Sequence, residues 1–133
     1  MNRIALDSNV LLYNHCADSN HKRLIARSFF QMNPVVSSQA VVEYLNIMRR
    51  KFKIEKQELL QLCSSWMEKC VIQPVGFSTL KLTQYLVRRY DFQIFDGIIV
   101  AAALEADCNI LYSEDMQHNQ SIEYTLTIIN PFL

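Results

Sequence analysis

The chain has 133 residues, half of them hydrophobic and a fifth charged, with 13 Lys and Arg balancing 13 Asp and Glu. That length supports one core and excludes a second domain, and no apolar run is long enough for a transmembrane helix. A formal net charge of zero gives no overall basic field, so any contact with nucleic acid must be local. The opening residues Met1 to Asp7 lack the apolar core of a signal peptide, which makes the cytoplasm the expected compartment.

Apolar runs alternate with helical periods from end to end, the pattern of a single α/β domain with a central parallel sheet flanked by helices over residues 1–133. Arg3 to Leu6 predicts a first strand that passes into a short helix over Ser8 to Tyr13, and a second helix follows over Asn20 to Met32. Pro34 to Ser37 is the next strand, and Ser37 or Ser38 caps a helix with Val41, Val42, Leu45 and Met48 on one face. Lys53 to Lys69 predicts an amphipathic helix that turns Leu59, Leu62, Trp66 and Cys63 inward. Val71 to Val75 is a strand ended near Gly76, and Ser78 or Thr79 opens a helix running to Tyr90. A strongly apolar helix spans Phe95 to Ala106, then Asn109 to Tyr112 and Thr125 to Ile129 complete the sheet. Two glycines and three prolines leave no linker or repeat.

The four cysteines, Cys16, Cys63, Cys70 and Cys108, form no C-x-x-C pair, so a zinc ribbon or redox motif is not expected and core positions are. His15, His21 and His118 share no ligand spacing. Arg49, Arg50, Lys51, Lys53 and Lys56 crowd one stretch. Such a run is a solvated helix end, or a phosphate-binding surface if other residues point to nucleic acid.

The acidic residues supply that pointer. Asp7 is the only Asp, Glu, Lys or Arg between Ile4 and Ala17, Glu43 the only one between Ser28 and Met48, and Asp96 the only one between Phe92 and Leu104. Each sits alone in an apolar stretch, and a buried carboxylate must be paired, protonated or bound to a cation. Asp7 and Asp115 follow predicted strands, at the carboxyl edge where open α/β sheets build their sites. Taken singly, Asp7 and Asp96 read equally as helix caps and Asp115 as a turn residue. Glu43, placed mid-helix among apolar neighbours, has no such explanation. Oxygen donors without a cysteine or histidine cluster suit Mg²⁺ or Mn²⁺, and clustered carboxylates holding such an ion suit phosphodiester hydrolysis.

Four segments carry a family resemblance. Ala5-Leu6-Asp7-Ser8-Asn9-Val10, Val42-Glu43-Tyr44-Leu45, Ile94-Phe95-Asp96-Gly97-Ile98 and Tyr112-Ser113-Glu114-Asp115-Met116 occur in order across nearly the whole chain. They resemble the four acidic motifs of the PIN-domain nucleases, most closely the VapC-type toxins of bacterial toxin–antitoxin pairs. The resemblance implies a PIN-like fold, Mg²⁺- or Mn²⁺-dependent cleavage of RNA, a homodimer, and a cognate antitoxin that covers the active-site groove. It makes Asp7, Glu43, Asp96 and Asp115 the metal-binding carboxylates and Ser8, Asn9 and Ser113 their hydrogen-bonding supports, with Arg49, Arg50 and Lys51 as the RNA-binding candidates. Gly97 stands where many relatives carry Ala, which is expected to loosen the helix start. Asn119 replaces a common Gly and is expected in a left-handed turn.

Two other functions compete. An aspartyl-nucleophile phosphatase of the haloacid-dehalogenase kind would use Asp7 but wants a second Asp where Asn9 stands. A non-catalytic PIN-like binding module would have no need to keep all four acids.

Overall fold

Short apolar strands separated by amphipathic helices fold here into one layered α/β unit. The computed structural model describes residues 2–16 and 18–133, so the expected core placement of the Cys16 side chain lies outside the described residues. The elements are β1 (Ile4–Leu6), α1 (Ser8–Cys16), α2 (Asn20–Ser28), β2 (Val35–Ser37), α3 (Ser38–Phe52), α4 (Lys56–Met67), β3 (Val71–Gln73), α5 (Phe77–Tyr90), α6 (Ile94–Glu105), β4 (Ile110–Tyr112), β5 (Ser121–Ile122) and β6 (Leu126–Ile129). The sheet runs β3-β2-β1-β4-β6-β5. Every neighbouring pair is parallel except β5 with β6. The central strands β1 and β2 are buried throughout, as expected where helices cover both faces of a parallel sheet.

Register is what builds the site. Leu6 lies opposite Tyr112, and Tyr112 opposite Ile129, so three strands end level with one another. The ladder continues one residue further, with the Asp7 N–H donating to the Tyr112 carbonyl and the Ser113 N–H to that of Ile129, each at 3.0 Å. Asp7 and Ser113 therefore leave the sheet side by side.

Several boundaries differ from the expectation, each for a local reason. The helix expected to reach Met32 stops at Ser28 and tightens into a 3-10 turn over Phe29–Met32, closed by left-handed Asn33. Lys53 does not open the fourth helix; at φ 52° it ends α3, its N–H on the Arg49 carbonyl. Glu55 caps α4 instead, accepting from the N–H groups of Gln57 and Glu58. On α3 the buried stripe is Ala40, Val41, Tyr44 and Met48. Val42 was expected inside and is 59% exposed, because a helix advances about 100° per residue and Tyr44 falls on Val41's face. Strand β5, two residues long, was not foreseen.

Gly97 also has a packing role, which the expectation of a loosened helix start did not include. A Cβ there would stand 2.9 Å from Val87 Cγ2 and 3.2 Å from Thr83 Cγ2. The bare backbone lets α6 lie close against α5. Asn119 adopts φ 67°, the left-handed turn expected of it. Cys63 and Cys108 are buried and Cys70 partly so, all as free thiols. Burial pushes their pKa values up to about 11, 11 and 12 respectively, which makes them inert core residues. Among the described residues no helix is long and apolar enough to cross a membrane.

Candidate active site

Asp7 leaves β1 at its carboxyl end and is 4% exposed. Its Oδ1 accepts the Ser8 N–H at 2.7 Å, and its Oδ2 accepts the Ser113 hydroxyl at 2.8 Å. Burial pushes its pKa up to about 7, against the lowering effect of those two donors and with help from the charges of Glu43 and Asp96. A carboxylate so placed resists ionisation unless a cation joins it.

The other three acids gather around it from separate elements. Glu43, half-buried on α3, accepts the Ser8 hydroxyl at 3.0 Å and the Gln39 amide at 3.2 Å. The Ser8 hydroxyl has a single proton, so its 3.5 Å approach to Asp7 is the lesser contact. Asp96 is the third residue of α6, not its cap, a position held by Gln93. Its pKa is raised, first by burial and then by the charges of Asp115 and Glu43. Asp115 is exposed on the loop after β4, where its Oδ2 accepts the Asn9 amide at 3.0 Å. Asn9 also takes the Glu114 N–H on its Oδ1 at 3.2 Å. Hydrogen bonds thus join six of the seven residues singled out as ligands or supports, and Asp96 is linked to Asp7, Glu43 and Asp115 through their charges alone.

Among the described residues, the ion pairs are Lys22 with Asp18 and Glu114, and Arg89 with Glu123, so none of the four acids has a cationic partner. No three acids, histidines or cysteines among the described residues stand close enough to hold a metal ion as the side chains lie. Serine, asparagine and glutamine donors hold the carboxylates of Asp7, Glu43 and Asp115. The donor set fits a hard divalent cation: carboxylates from four elements, with neither thiol nor imidazole in the cluster. Glu43 and Asp96 are partly buried, and Asp115 is exposed.

The three basic candidates separate. Arg50 borders a groove of about 480 Å³ with Glu43, Asn46 and Phe95. Lys51 borders one of about 250 Å³ with Asn9, Tyr13 and Asp115. Arg49 faces away, lining a hollow with Leu59 and Leu60 and donating to the Ile54 carbonyl at 2.7 Å. Sequence reasoning missed Gln39, although its spacing of four from Glu43 on one helix face was a usable signal. It also missed the contacts of Glu114, for which a residue beside Asp115 in a turn gave no signal.

The PIN domain family model matches residues 4–120. Among solved structures, the chain is similar to a toxin–antitoxin complex from Klebsiella pneumoniae, with a TM-score of 0.72, 15% identity and 98% of each chain covered. It is also similar to DNA-bound VapBC from Salmonella typhimurium, with a TM-score of 0.70, 13% identity, and 96% of this chain and 97% of that one covered. A sarcin–ricin loop cleaving VapC toxin of Mycobacterium tuberculosis aligns over 84% of this chain and 89% of its own, with a TM-score of 0.67 and 12% identity. No curated protein matches in sequence.

Proposed function

This chain belongs to the PIN domain family, and on that premise we propose that it is a metal-dependent endoribonuclease, the toxin of a toxin–antitoxin pair. Asp7 carries the proposal: a carboxyl 4% exposed, its pKa pushed up to about 7, with no cationic partner among the described residues, is the one a divalent ion would complete. Asp7, Glu43, Asp96 and Asp115 would hold the ion, and Mg²⁺ or Mn²⁺ are the cations their oxygens suit. When bound, such an ion supplies charge for the transferring phosphate and acidifies an attacking water.

The remaining residues hold these ligands. Ser113 and the Ser8 N–H fix the two oxygens of Asp7. The Ser8 hydroxyl steadies Glu43, and Asn9 steadies Asp115. Arg50 and Lys51 flank the cluster and take RNA phosphates, while Arg49 adds only long-range charge because its guanidinium is engaged with Ile54. Likeness to a toxin–antitoxin complex supports an antitoxin partner. A homodimer and a cytoplasmic location follow from the family resemblance.

The test is cleavage of a mixed RNA pool by the purified protein. Mg²⁺ or Mn²⁺ should switch cleavage on and a chelator should switch it off, with Asp7→Asn inactive under both conditions. Cleavage that persists in chelator, or in Asp7→Asn, would remove the four-carboxylate mechanism and leave a PIN-fold binding module.

A further inference from the structure

Asp115 lies on a loop with no regular secondary structure, yet the residue before it is tied on three sides. The Glu114 N–H donates to Asn9 Oδ1 at 3.2 Å. Its Oε1 accepts the Tyr13 hydroxyl at 2.5 Å, and its Oε2 pairs with Lys22 Nζ at 3.0 Å. The Lys22 ammonium stands 4.9 Å from the centre of the Tyr13 ring and 5.9 Å from that of Phe132. Tyr13 meets Phe132 edge-on at 5.1 Å. Helices α1 and α2 thus converge on one carboxylate that is not among the four, with Phe132 set against Tyr13 and Lys22.

This ion pair is sheltered in a way its alternative is not. The side chains of Lys22 and Glu114 are 26% and 25% exposed, whereas Asp18, 3.8 Å from the same ammonium, is 76% exposed. Glu114 is therefore the real partner, and Asp18 a solvated neighbour. Asn9 links the pair to the site, because one amide group takes the Glu114 N–H and donates to Asp115.

We infer that Tyr13 and Lys22 are positioning residues that clamp Glu114 and through it set where Asp115 stands, an inference that rests on the functional reading above. With the clamp removed, Asp115 swings with its loop. Metal binding and the chemical step then suffer, while RNA binding, assigned above to Arg50 and Lys51, changes little as long as the Tyr13 ring that lines the Lys51 groove is kept.

Lys22→Met keeps the aliphatic stem over Tyr13 and Phe132 and removes only the charge. Tyr13→Phe removes only the hydroxyl. Each should weaken Mn²⁺ affinity in calorimetry and lower kcat, both by about tenfold, as changes next to metal ligands do. KM for RNA should move by less than about twofold. Amide exchange at Glu114 and Asp115, followed well below the melting temperature, should speed up. Lys22→Arg should restore most of each loss, and Asp18→Asn should match the wild type. A lower melting temperature with unchanged Mn²⁺ affinity, kcat and exchange would make the cluster ordinary packing and overturn the inference. A wild-type protein that neither binds Mn²⁺ nor cleaves RNA would sink the functional reading instead. Unchanged exchange in Lys22→Met overturns the clamp on its own, whatever the activity.

Discussion

Asp7→Asn, studied without metal as a function of pH, separates a strained ligand from a comfortable helix cap. Burial raises the Asp7 pKa from 3.8 to about 7. Below about pH 4 the carboxyl is protonated in both the folded and the unfolded chain, and it costs nothing. As pH rises through the window between these two values, the unfolded chain releases its proton and the folded chain keeps it, so stability falls. Above pH 7 the whole penalty stands, about 4 kcal/mol at about 1.4 kcal/mol per pH unit. Asparagine has no charge to bury, but it gives up one of the acceptors used by Ser8 and Ser113, for about 1–2 kcal/mol. The variant should therefore be more stable than wild type by about 2–3 kcal/mol at pH 8. Urea unfolding in chelator measures both proteins at each pH. Subtracting one from the other cancels titrations they share, such as that of His15, whose pKa burial lowers. The difference should grow by about 3 kcal/mol from pH 5 to pH 8. A difference that stays flat over that range would mean that Asp7 ionises freely, and the central observation behind the metal site would be gone.

Asp96→Asn removes one charge from the third position of α6 and should cut RNA cleavage by at least about 100-fold, roughly 2.7 kcal/mol of barrier, while Asp107→Asn stays active; equal rates in the two variants would exclude Asp96 as a ligand. Gly97→Ala adds up to about 1 kcal/mol of helix propensity but forces a methyl onto stiff Val87, for about 1–3 kcal/mol; urea midpoints should fall, and a rise would show that α5 yields. Alanine at Arg50 and Lys51 should weaken RNA binding and flatten its salt dependence. Arg49→Ala should mainly destabilise the α3–α4 connection through the lost Ile54 contact, by about 1 kcal/mol, which parallel melting and salt titrations would separate from a loss of binding.

The order and type of the long elements could be read from the sequence because each carries its own signal. Residues Gly97 to Leu104 are apolar on all sides, and the structure buries seven consecutive residues of α6. Boundaries were harder, since they depend on caps that compete. Lys53 was expected to open an amphipathic helix, yet its backbone ends one, and only the Glu55 cap two residues later fixes the start of α4. Strand β5 has two residues and no alternation to detect; it exists because left-handed Glu123 and Tyr124 turn the chain back onto β6. Gly97 was legible only in part. Its value lies in α5, several residues upstream, and helix propensity is blind to a neighbour it cannot see.

The acids were legible for one physical reason, and their partners were not for another. An isolated charge in an apolar stretch is a local anomaly, so Asp7, Glu43 and Asp96 stand out with no knowledge of the fold. The hydrogen bonds that hold them join Ser8 to Glu43 and Ser113 to Asp7, across 35 and 106 residues, and exist only because the strands end level. The same register sorts two acids that look alike on paper. Glu114 and Asp115 are adjacent, similarly charged and equally at home in a turn. The fold gives Glu114 the ammonium of Lys22 and the hydroxyl of Tyr13, so its charge is already answered. Among the described residues Asp115 receives one amide and no cation, and its charge helps to raise the pKa of Asp96. Of the two, the acid whose charge is left unanswered is the one a divalent ion can still bind.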